Sequence, residues 1–308
     1  MSSPVSNSHI RLAIVIPYFK KSHFEETLVS INNQTDSRFK LYIGNDNSPD
    51  SPVDLINKTF NENERILYRN FTSNLGSSSL TRQWERCIDL ADEEYIWLFS
   101  DDDIMPEDAV ERFYKMLADH SSGDLFRYNV QIINERNDVI YPVSQHPPHE
   151  TAYSFLNRRL NGETISTACE YIFSKKIYST CNGFVEFPLA WASDDATWLN
   201  YSIEKGIYSI PGPCVSWRMG GNNISSKNNN YKKKAIACIN FIAFVSSKFH
   251  VKEDLKLKWL IAQIKLLGQS KKIKLYFWAK ILLSGIFSIN FLLRSYKNIL
   301  GDYHVDAK

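Results

Sequence analysis

The pattern of hydrophobic positions opens with a strand. Residues 12 to 19 carry the unbroken run Leu-Ala-Ile-Val-Ile followed by Pro17, and an apolar run without alternation is what a strand covered on both faces of a parallel sheet requires. Pro17 is expected to end it. Residues 24 to 33 then place Phe24, Leu28 and Ile31 at helical spacing, with Glu25 and Glu26 in the first turn, where the helix dipole favours negative charge. Short strands are predicted at 39–43, 65–69 and 95–99, alternating with helices at 53–60 and 80–90. The last of these strands runs directly into Ser100-Asp101-Asp102-Asp103. This β, α, β, α, β order predicts an α/β fold, a doubly wound, mostly parallel sheet flanked by helices, with its ligand crevice at the carboxyl ends of the strands.

Further along, 106–118 reads as a helix with Pro106 in its first turn. Residues 125–140 are strand-rich, and 142–150, with Pro142, Pro147 and Pro148, read as a loop. A helix opens at Ser193 and continues to Ile203. Beyond Ser226, the polar stretch Asn228-Asn229-Asn230 leads into a helical tail. The expected division is a main domain at 1–226 and a C-terminal helical extension at 227–308.

Composition changes this picture in one respect. The 308 residues hold 36 Lys+Arg and 34 Asp+Glu, a net charge of +2, yet the two expected segments differ sharply. Residues 1–226 carry 20 basic and 30 acidic side chains, net −10, and residues 227–308 carry 16 basic and 4 acidic, net +12. A chain that is 44% hydrophobic and 13% aromatic has enough apolar surface for a packed core, which excludes disorder for its bulk. Cys87, Cys169, Cys181, Cys214 and Cys238 form no Cys-x-x-Cys pair, so neither a zinc cluster nor a disulfide scaffold is indicated. The polar start Met-Ser-Ser-Pro lacks the basic-then-apolar order of a signal peptide, and a cytoplasmic location with reduced thiols is expected.

Three consecutive aspartates at the end of an apolar strand repel one another, and each raises its neighbour's pKa, so a cation should compensate them. Mg²⁺ or Mn²⁺ suits the site, because both prefer carboxylates and keep positions open for phosphate oxygens. A solvated cap for the next helix is the alternative. A second acidic site, Ser193-Asp194-Asp195, opens a helix between Trp191 and Trp198. Asp194 there caps the helix or serves as a general base, its pKa raised by partial burial among the bulky neighbours Trp191 and Trp198. Asp46 ends the second strand and offers an acceptor to a base N–H, although a plain turn is equally consistent. Arg82 can hold a diphosphate through its planar fork or pair with Glu85 on its own helix. His146 and His149 make a weak ligand pair in an exposed loop. Gly-x-Ser-x-Gly, Gly-x-x-x-x-Gly-Lys-Ser/Thr and His-Glu-x-x-His motifs are missing.

In order and spacing these pieces resemble the inverting family 2 glycosyltransferases of bacterial polysaccharide biosynthesis, which have a GT-A (Rossmann-like) fold. The resemblance covers residues 10–226 and rests on Ile14-Val15-Ile16-Pro17-Tyr18, Leu28-Val29-Ser30-Ile31-Asn32-Asn33-Gln34-Thr35, Tyr42-Ile43-Gly44-Asn45-Asp46-Asn47-Ser48, Asn74-x-Gly76, Arg82, Ser100-Asp101-Asp102-Asp103, and Asp194-Asp195 with Trp198. It implies that Pro17, Tyr18, Asp46, Arg82 and Asp101 hold the nucleotide, with Asp46 facing the base. Asp101, Asp102 and Asp103 are the implied metal set; Asp194, with Asp195 as fallback, is the implied base. Departures are Ser100 where many relatives carry an aspartate, Asn45 for a frequent aspartate, and a late segment, Trp217-Arg218-Met219-Gly220-Gly221, without the histidine many members add.

The implied function is metal-dependent transfer of a sugar from a nucleotide sugar, a UDP-sugar foremost, to a glycan or lipid-linked acceptor in cell-surface polysaccharide synthesis. A sugar nucleotidyltransferase is the alternative enzyme, although it needs a glycine-rich loop after its first strand and the first glycine here is Gly44. A non-catalytic membrane scaffold is the other alternative. In the tail, residues 275–293 carry only Lys280, and Lys271, Lys272, Lys274, Arg294 and Lys297 flank them. Such a segment suits docking on an anionic membrane surface through residues 271–297, at the inner face of the cell membrane, better than spanning it. Packing of Phe287 and Phe291 on the main domain is the bland alternative. Nucleic acid is not expected, since an aliphatic run has no role in tracking phosphates.

Overall fold

A computed structural model describes residues 10–60, 64–141, 145–220, 230–267, 270–288 and 291. Strands β1 (Leu12–Tyr18), β2 (Phe39–Asn45), β3 (Ile66–Asn70) and β4 (Tyr95–Leu98) alternate with helices α1 (Phe24–Asn32), α2 (Val53–Phe60) and α3 (Leu80–Ile88). The chain continues through α4 (Ala109–Asp119), β5 (Leu125–Ile133), β6 (Val139–Tyr141), β7 (His149–Glu150), α5 (Ala152–Asn161), β8 (Tyr171–Ser174), α6 (Lys175–Thr180), a single 3-10 turn (Pro188–Ala190), α7 (Ser193–Tyr201) and β9 (Ile207–Arg218). Helices α8 (Tyr231–Lys248), α9 (Glu253–Leu267) and α10 (Lys271–Ser284) close the described part. One nine-stranded sheet has the order β3-β2-β1-β4-β8-β5-β9-β7, with β6 on β5. Pairing is parallel across β3-β2-β1-β4 and β5-β9, and antiparallel around β8 and β7. This is the mixed, mostly parallel, helix-flanked sheet that the sequence predicts.

The reason the first strand shows no alternation is visible in its packing. Leu12, Ile14, Ile16 and Tyr18 enter one core with α1, α2 and α4, while Ala13 and Val15 enter the other with α3, α5 and α7, as the two-residue strand period dictates. Pro17 does not end the strand: it stays in register opposite Gly44, and β1 closes one residue later, at Tyr18.

Helix α4 starts three residues after Pro106 rather than around it. Ile104 is held extended by a pair of backbone bonds to Ser216 (3.0 and 2.9 Å), so the chain has to turn through Pro106 before it can coil. Residues 149 and 150, expected in a loop, pair with Tyr208 and Ile207 as β7, while residues 142–144 lie outside the described residues. Strand β9 carries no prediction at all. Its Pro211-Gly212-Pro213 interruption hides the pattern from sequence.

The basic extension packs on the sheet. Phe241, Ile242, Val245, Trp259, Leu260, Phe277 and Ile281 share the core that also contains Trp198 and Phe173. Among the described residues no helix is long and apolar enough to cross a membrane. Arg294, Lys297 and the polar stretch at 228–229 lie outside the described residues.

For the site, the strand directions matter most. The carboxyl ends of β1, β2 and β4 share one rim of the sheet, and β5 and β9 run the same way. Because β8 is antiparallel, with Trp97 opposite Ile172, its start lies on that rim beside the residues that follow β4.

Candidate active site

Three aspartates follow β4, and the structure gives each a different task. Asp101 is buried, and its Oδ2 accepts the amides of Phe19 and Lys20, both at 2.7 Å, tying the loop after β1 to the loop after β4. Asp103 is fully buried. Its Oδ1 accepts the Arg218 amide (2.7 Å) and its backbone carbonyl accepts the Thr27 hydroxyl (2.8 Å), while Oδ2 has no hydrogen-bond partner. Asp102 is the least committed: its carboxylate retains some exposure, lies 3.9 Å from the Lys20 ammonium and also feels the charges of Arg218 and His23.

The cation that the sequence demands is supplied in part by the protein. Arg218, 1% exposed, donates to the Asp102 carbonyl (2.8 Å), the Asn134 carbonyl (2.9 Å) and Glu26 (2.8 Å), bracing the loop from the carboxyl end of β9. Burial, and then the charge of Asp102, push Asp101 up to about 6 and Asp103 up to about 7. Asp102 is also raised, by burial. Desolvation thus outweighs the mutual repulsion expected from sequence.

Among the described residues no three His, Cys, Asp or Glu side chains converge as a metal cage. The available oxygens still fit a hard cation. Asp102 carries a carboxylate held only loosely, and the buried Oδ2 of Asp103 has no partner. Mg²⁺-type sites typically use one or two carboxylates together with substrate phosphates rather than an all-protein cage.

The second acidic pair sits in the first turn of α7, and here the structure separates two adjacent aspartates. Asp195 is buried and gripped by Arg159 of α5 through both oxygens, Nε to Oδ1 at 2.8 Å and Nη2 to Oδ2 at 2.6 Å. Arg159 also donates to the Thr164 carbonyl at 2.8 Å. Asp194 has no such clamp and is only half-buried. Desolvation of its carboxyl, and then the charge of Asp195, push it up to about 7, a value suited to taking a proton near neutral pH. Glu170, just before β8, is fully buried and raised to about 8, chiefly by burial, with the Asp194 charge contributing. Cys169 beside it feels the charge of Asp103.

On the nucleotide side, Tyr18 is fully buried. Its hydroxyl donates to the Asp50 carbonyl (2.9 Å), and its ring packs on Phe24. Pro17, next to it in β1, is partly exposed. Asp46 is also buried. Its oxygens accept the amides of Leu75 (2.7 Å) and Gly76 (2.9 Å) and the Arg86 guanidinium (2.5 Å), so it fastens the loop before α3. Gly76 has to be glycine here, because a Cβ would lie 2.6 Å from Asp46 Oδ2. Arg86 is itself stacked over Phe71 at 4.0 Å.

Arg82 does not pair with Glu85. Glu85 accepts the Phe184 amide (3.0 Å), and the exposed Arg82 leans to Glu186 at 3.6 Å. His146 is a correction to the exposed-loop expectation. It is 7% exposed, drawn in where its amide meets Asn129 Oδ1 (2.8 Å), and both ring nitrogens lack partners. His149 does remain exposed.

Arg86 and Arg159 are site residues that sequence reasoning missed. Each meets its aspartate across 40 or 36 residues of chain, and an arginine within a helix carries no local signature of a distant partner.

The profile described as Glycosyl transferase family 2 matches residues 13–179. Abequosyltransferase RfbV of Salmonella typhimurium (strain LT2) is 32% identical over 103 residues, a segment that spans 32% of this chain and only 30% of that protein. Among solved structures, Staphylococcus aureus TarS 1-349 in complex with UDP-GlcNAc superposes with a TM-score of 0.60 at 15% identity, covering 94% of this chain and 92% of that one. The mannosyltransferase PcManGT from Pyrobaculum calidifontis, in complex with GDP-Man and Mn²⁺, superposes with a TM-score of 0.54 at 14% identity, covering 95% and 81%. At such identities the structural matches speak for the fold.

Proposed function

This chain belongs to glycosyl transferase family 2, and from that membership we propose that it is a metal-dependent inverting glycosyltransferase. The donor is a nucleotide sugar, foremost a UDP-sugar, and the acceptor a glycan or lipid-linked saccharide of a cell-surface polysaccharide. The observation that carries the reading is the division of labour in α7: Asp195 is neutralised by Arg159, while Asp194 stays unclamped with a pKa near 7. TarS binding UDP-GlcNAc and PcManGT binding GDP-Man with Mn²⁺ support a nucleotide-sugar donor.

In the proposed reaction, Asp194 takes the proton of the acceptor hydroxyl as that oxygen attacks the anomeric carbon from the face opposite the leaving diphosphate. Asp195 and Arg159 hold the first turn of α7 in place. Asp102, with Asp103 behind it, would hold the divalent cation, which when bound neutralises charge on the departing diphosphate. Asp101 fixes the loop after β1 against that site through the Phe19 and Lys20 amides. Pro17, partly exposed, forms the edge on which the nucleoside rests, and the fully buried Tyr18 supports it from behind through Phe24 and the Asp50 carbonyl. Asp46 and Arg86 shape the facing loop, and Arg82, exposed at the start of α3, is free to turn from Glu186 towards a phosphate.

The extension has a second role in this proposal. On α10, Leu275, Leu282 and Leu283 are 73, 61 and 82% exposed, and Lys272 is exposed as well, with Lys274 and Lys280 partly so. Apolar side chains among lysines favour peripheral docking on an anionic membrane, next to a lipid-linked acceptor.

Release of nucleoside diphosphate from a panel of UDP-, GDP- and dTDP-sugars with Mn²⁺ tests the enzyme reading. Absence of turnover together with absence of metal-dependent nucleotide binding across the panel would refute it.

A further inference from the structure

The turn that leads into α7 is unusual in two independent ways. Leu189, Ala190 and Ala192 all hold left-handed backbone, with φ of 63°, 52° and 60°. Residues with a Cβ adopt that region only when their surroundings impose it, and such strain concentrates where ligands are handled. The surroundings are on view: the Ser193 hydroxyl accepts the Phe187 amide (2.9 Å), the Thr197 hydroxyl accepts the Val185 amide (2.9 Å), and the Ala190 amide returns to the Phe187 carbonyl (2.9 Å).

Second, Pro188, Leu189, Ala190, Trp191 and Ala192 are five consecutive apolar residues, each left half-exposed. Trp191 and Ala192 rest against the main core yet keep part of their surface open, and the run ends two residues before Asp194. An apolar surface of this kind at the edge of a polar site marks a place for a ligand.

Trp191 is the centre of the run. Lys234 of α8, 1% exposed, sets its ammonium 4.3 Å from the indole centroid. This cation closes one side of the ring and fixes its orientation, so little side-chain freedom is left to lose on binding. Trp198, seven residues later, shows what a structural tryptophan looks like in this fold: it is fully buried and stacked on Tyr171. The two indoles differ in that Trp191, three residues before Asp194, keeps accessible surface.

We infer that residues 188–192 form a saccharide platform on which a pyranose ring lies against the open side of the Trp191 indole. The inference rests on the transferase reading and deepens it, because it names a contact for the sugar that no aspartate supplies. A pyranose ring presents a flat array of C–H groups that suits an aromatic face, and a half-buried indole provides that face at low entropic cost. The sugar comes either from the acceptor or from the donor.

Two measurements on the full chain test it. In steady-state kinetics, Trp191→Ala raises the KM of one saccharide substrate by about tenfold, the equivalent of one lost stacking contact. Trp191→Phe, which keeps an aromatic face, stays within about threefold. UDP affinity is unchanged in both variants. A rise confined to the acceptor assigns the platform to the acceptor sugar; a rise confined to the nucleotide sugar assigns it to the donor's pyranose. Both KM values within about twofold of the parent in the folded Ala variant would overturn the platform.

The other measurement does not need turnover, and so separates the platform from the transferase reading. The Trp191 indole N–H resonance, identified by its loss in Trp191→Phe, shifts on titration with methyl glycopyranosides and with UDP-GlcNAc. An indole resonance that stays fixed through both titrations refutes the platform, whatever the enzyme assays give.

Discussion

Replacing Arg159 by Met tests whether Asp195 is structural and Asp194 chemical. The Arg159–Asp195 pair is a two-point fork with contacts of 2.8 and 2.6 Å, and its side chains are 18 and 6% exposed. Removing the arginine leaves a carboxylate buried without its partner, which costs about 3–5 kcal/mol for pairs of this kind. The loss of the guanidinium's bond to the Thr164 carbonyl adds about 1 kcal/mol. Asp195→Asn alone weakens the fork from the other side, but in the Arg159→Met background it relieves the stranded charge. The double mutant should therefore be more stable than the sum of the single losses predicts, by about 2 kcal/mol or more. Guanidinium denaturation with an unchanged m-value reads this directly. Losses that add to within about 0.5 kcal/mol would mean that the two residues do not act as a pair, and the structural role of Asp195 would have to be abandoned. Activity supplies the contrast. Asp194→Asn should cut turnover without lowering the denaturation midpoint, because it removes a carboxyl whose ionisation burial opposes, whereas Asp195→Asn should lower both.

The remaining expectations concern proton uptake and the basic extension. Asp194→Asn lowers kcat by about 10²–10⁴ with UDP affinity unchanged, and in the parent kcat/KM climbs as pH rises through about 7, because the base works deprotonated; a flat profile between pH 5 and 9 would remove Asp194 from that role. Burial raises Glu170 to about 8 from an ordinary value of 4.5, so the folded chain keeps a proton that the unfolded chain has released. Its stability contribution is whole below about pH 4.5 and is lost as pH rises through 8, by several kcal/mol in total. Glu170→Gln removes that slope, and denaturation at pH 5 and pH 8.5 in both proteins should show it; identical slopes would contradict the burial argument. Leu282→Glu with Leu283→Glu alters two exposed positions, so folding is preserved while co-sedimentation with phosphatidylserine-containing vesicles falls severalfold; unchanged sedimentation would exclude α10 as the docking helix.

The alternating order of strands and helices, and the position of both acidic runs, are legible in the sequence because hydrophobic periodicity is a local property. Residues 12 to 18 read as a doubly covered strand for the same reason that they form one: every second side chain enters a different core. The acidic run Asp101–Asp103 follows β4 after only Phe99 and Ser100, so strand direction alone puts it at the carboxyl rim. Even the helix that starts at Ser193 is visible from its composition. Missing were β9, interrupted by Pro211-Gly212-Pro213, and the roles of Arg86 and Arg159, whose partners are remote in the chain.

What only the tertiary structure decided is the state of each charged group. Three neighbouring aspartates look equivalent in sequence, yet one holds two backbone amides, one is sealed beside Arg218 from 115 residues away, and one stays available. Asp194 and Asp195 are likewise indistinguishable until α5 brings Arg159 to one of them. The +12 extension reads as a membrane segment from its charge and apolar run, but the fold buries Phe277 and Ile281 in the core and leaves Leu275, Leu282 and Leu283 outside. Secondary structure follows from spacing along the chain. Desolvation and ion pairing follow from distance in space, and in this protein they set which carboxylate can take a proton.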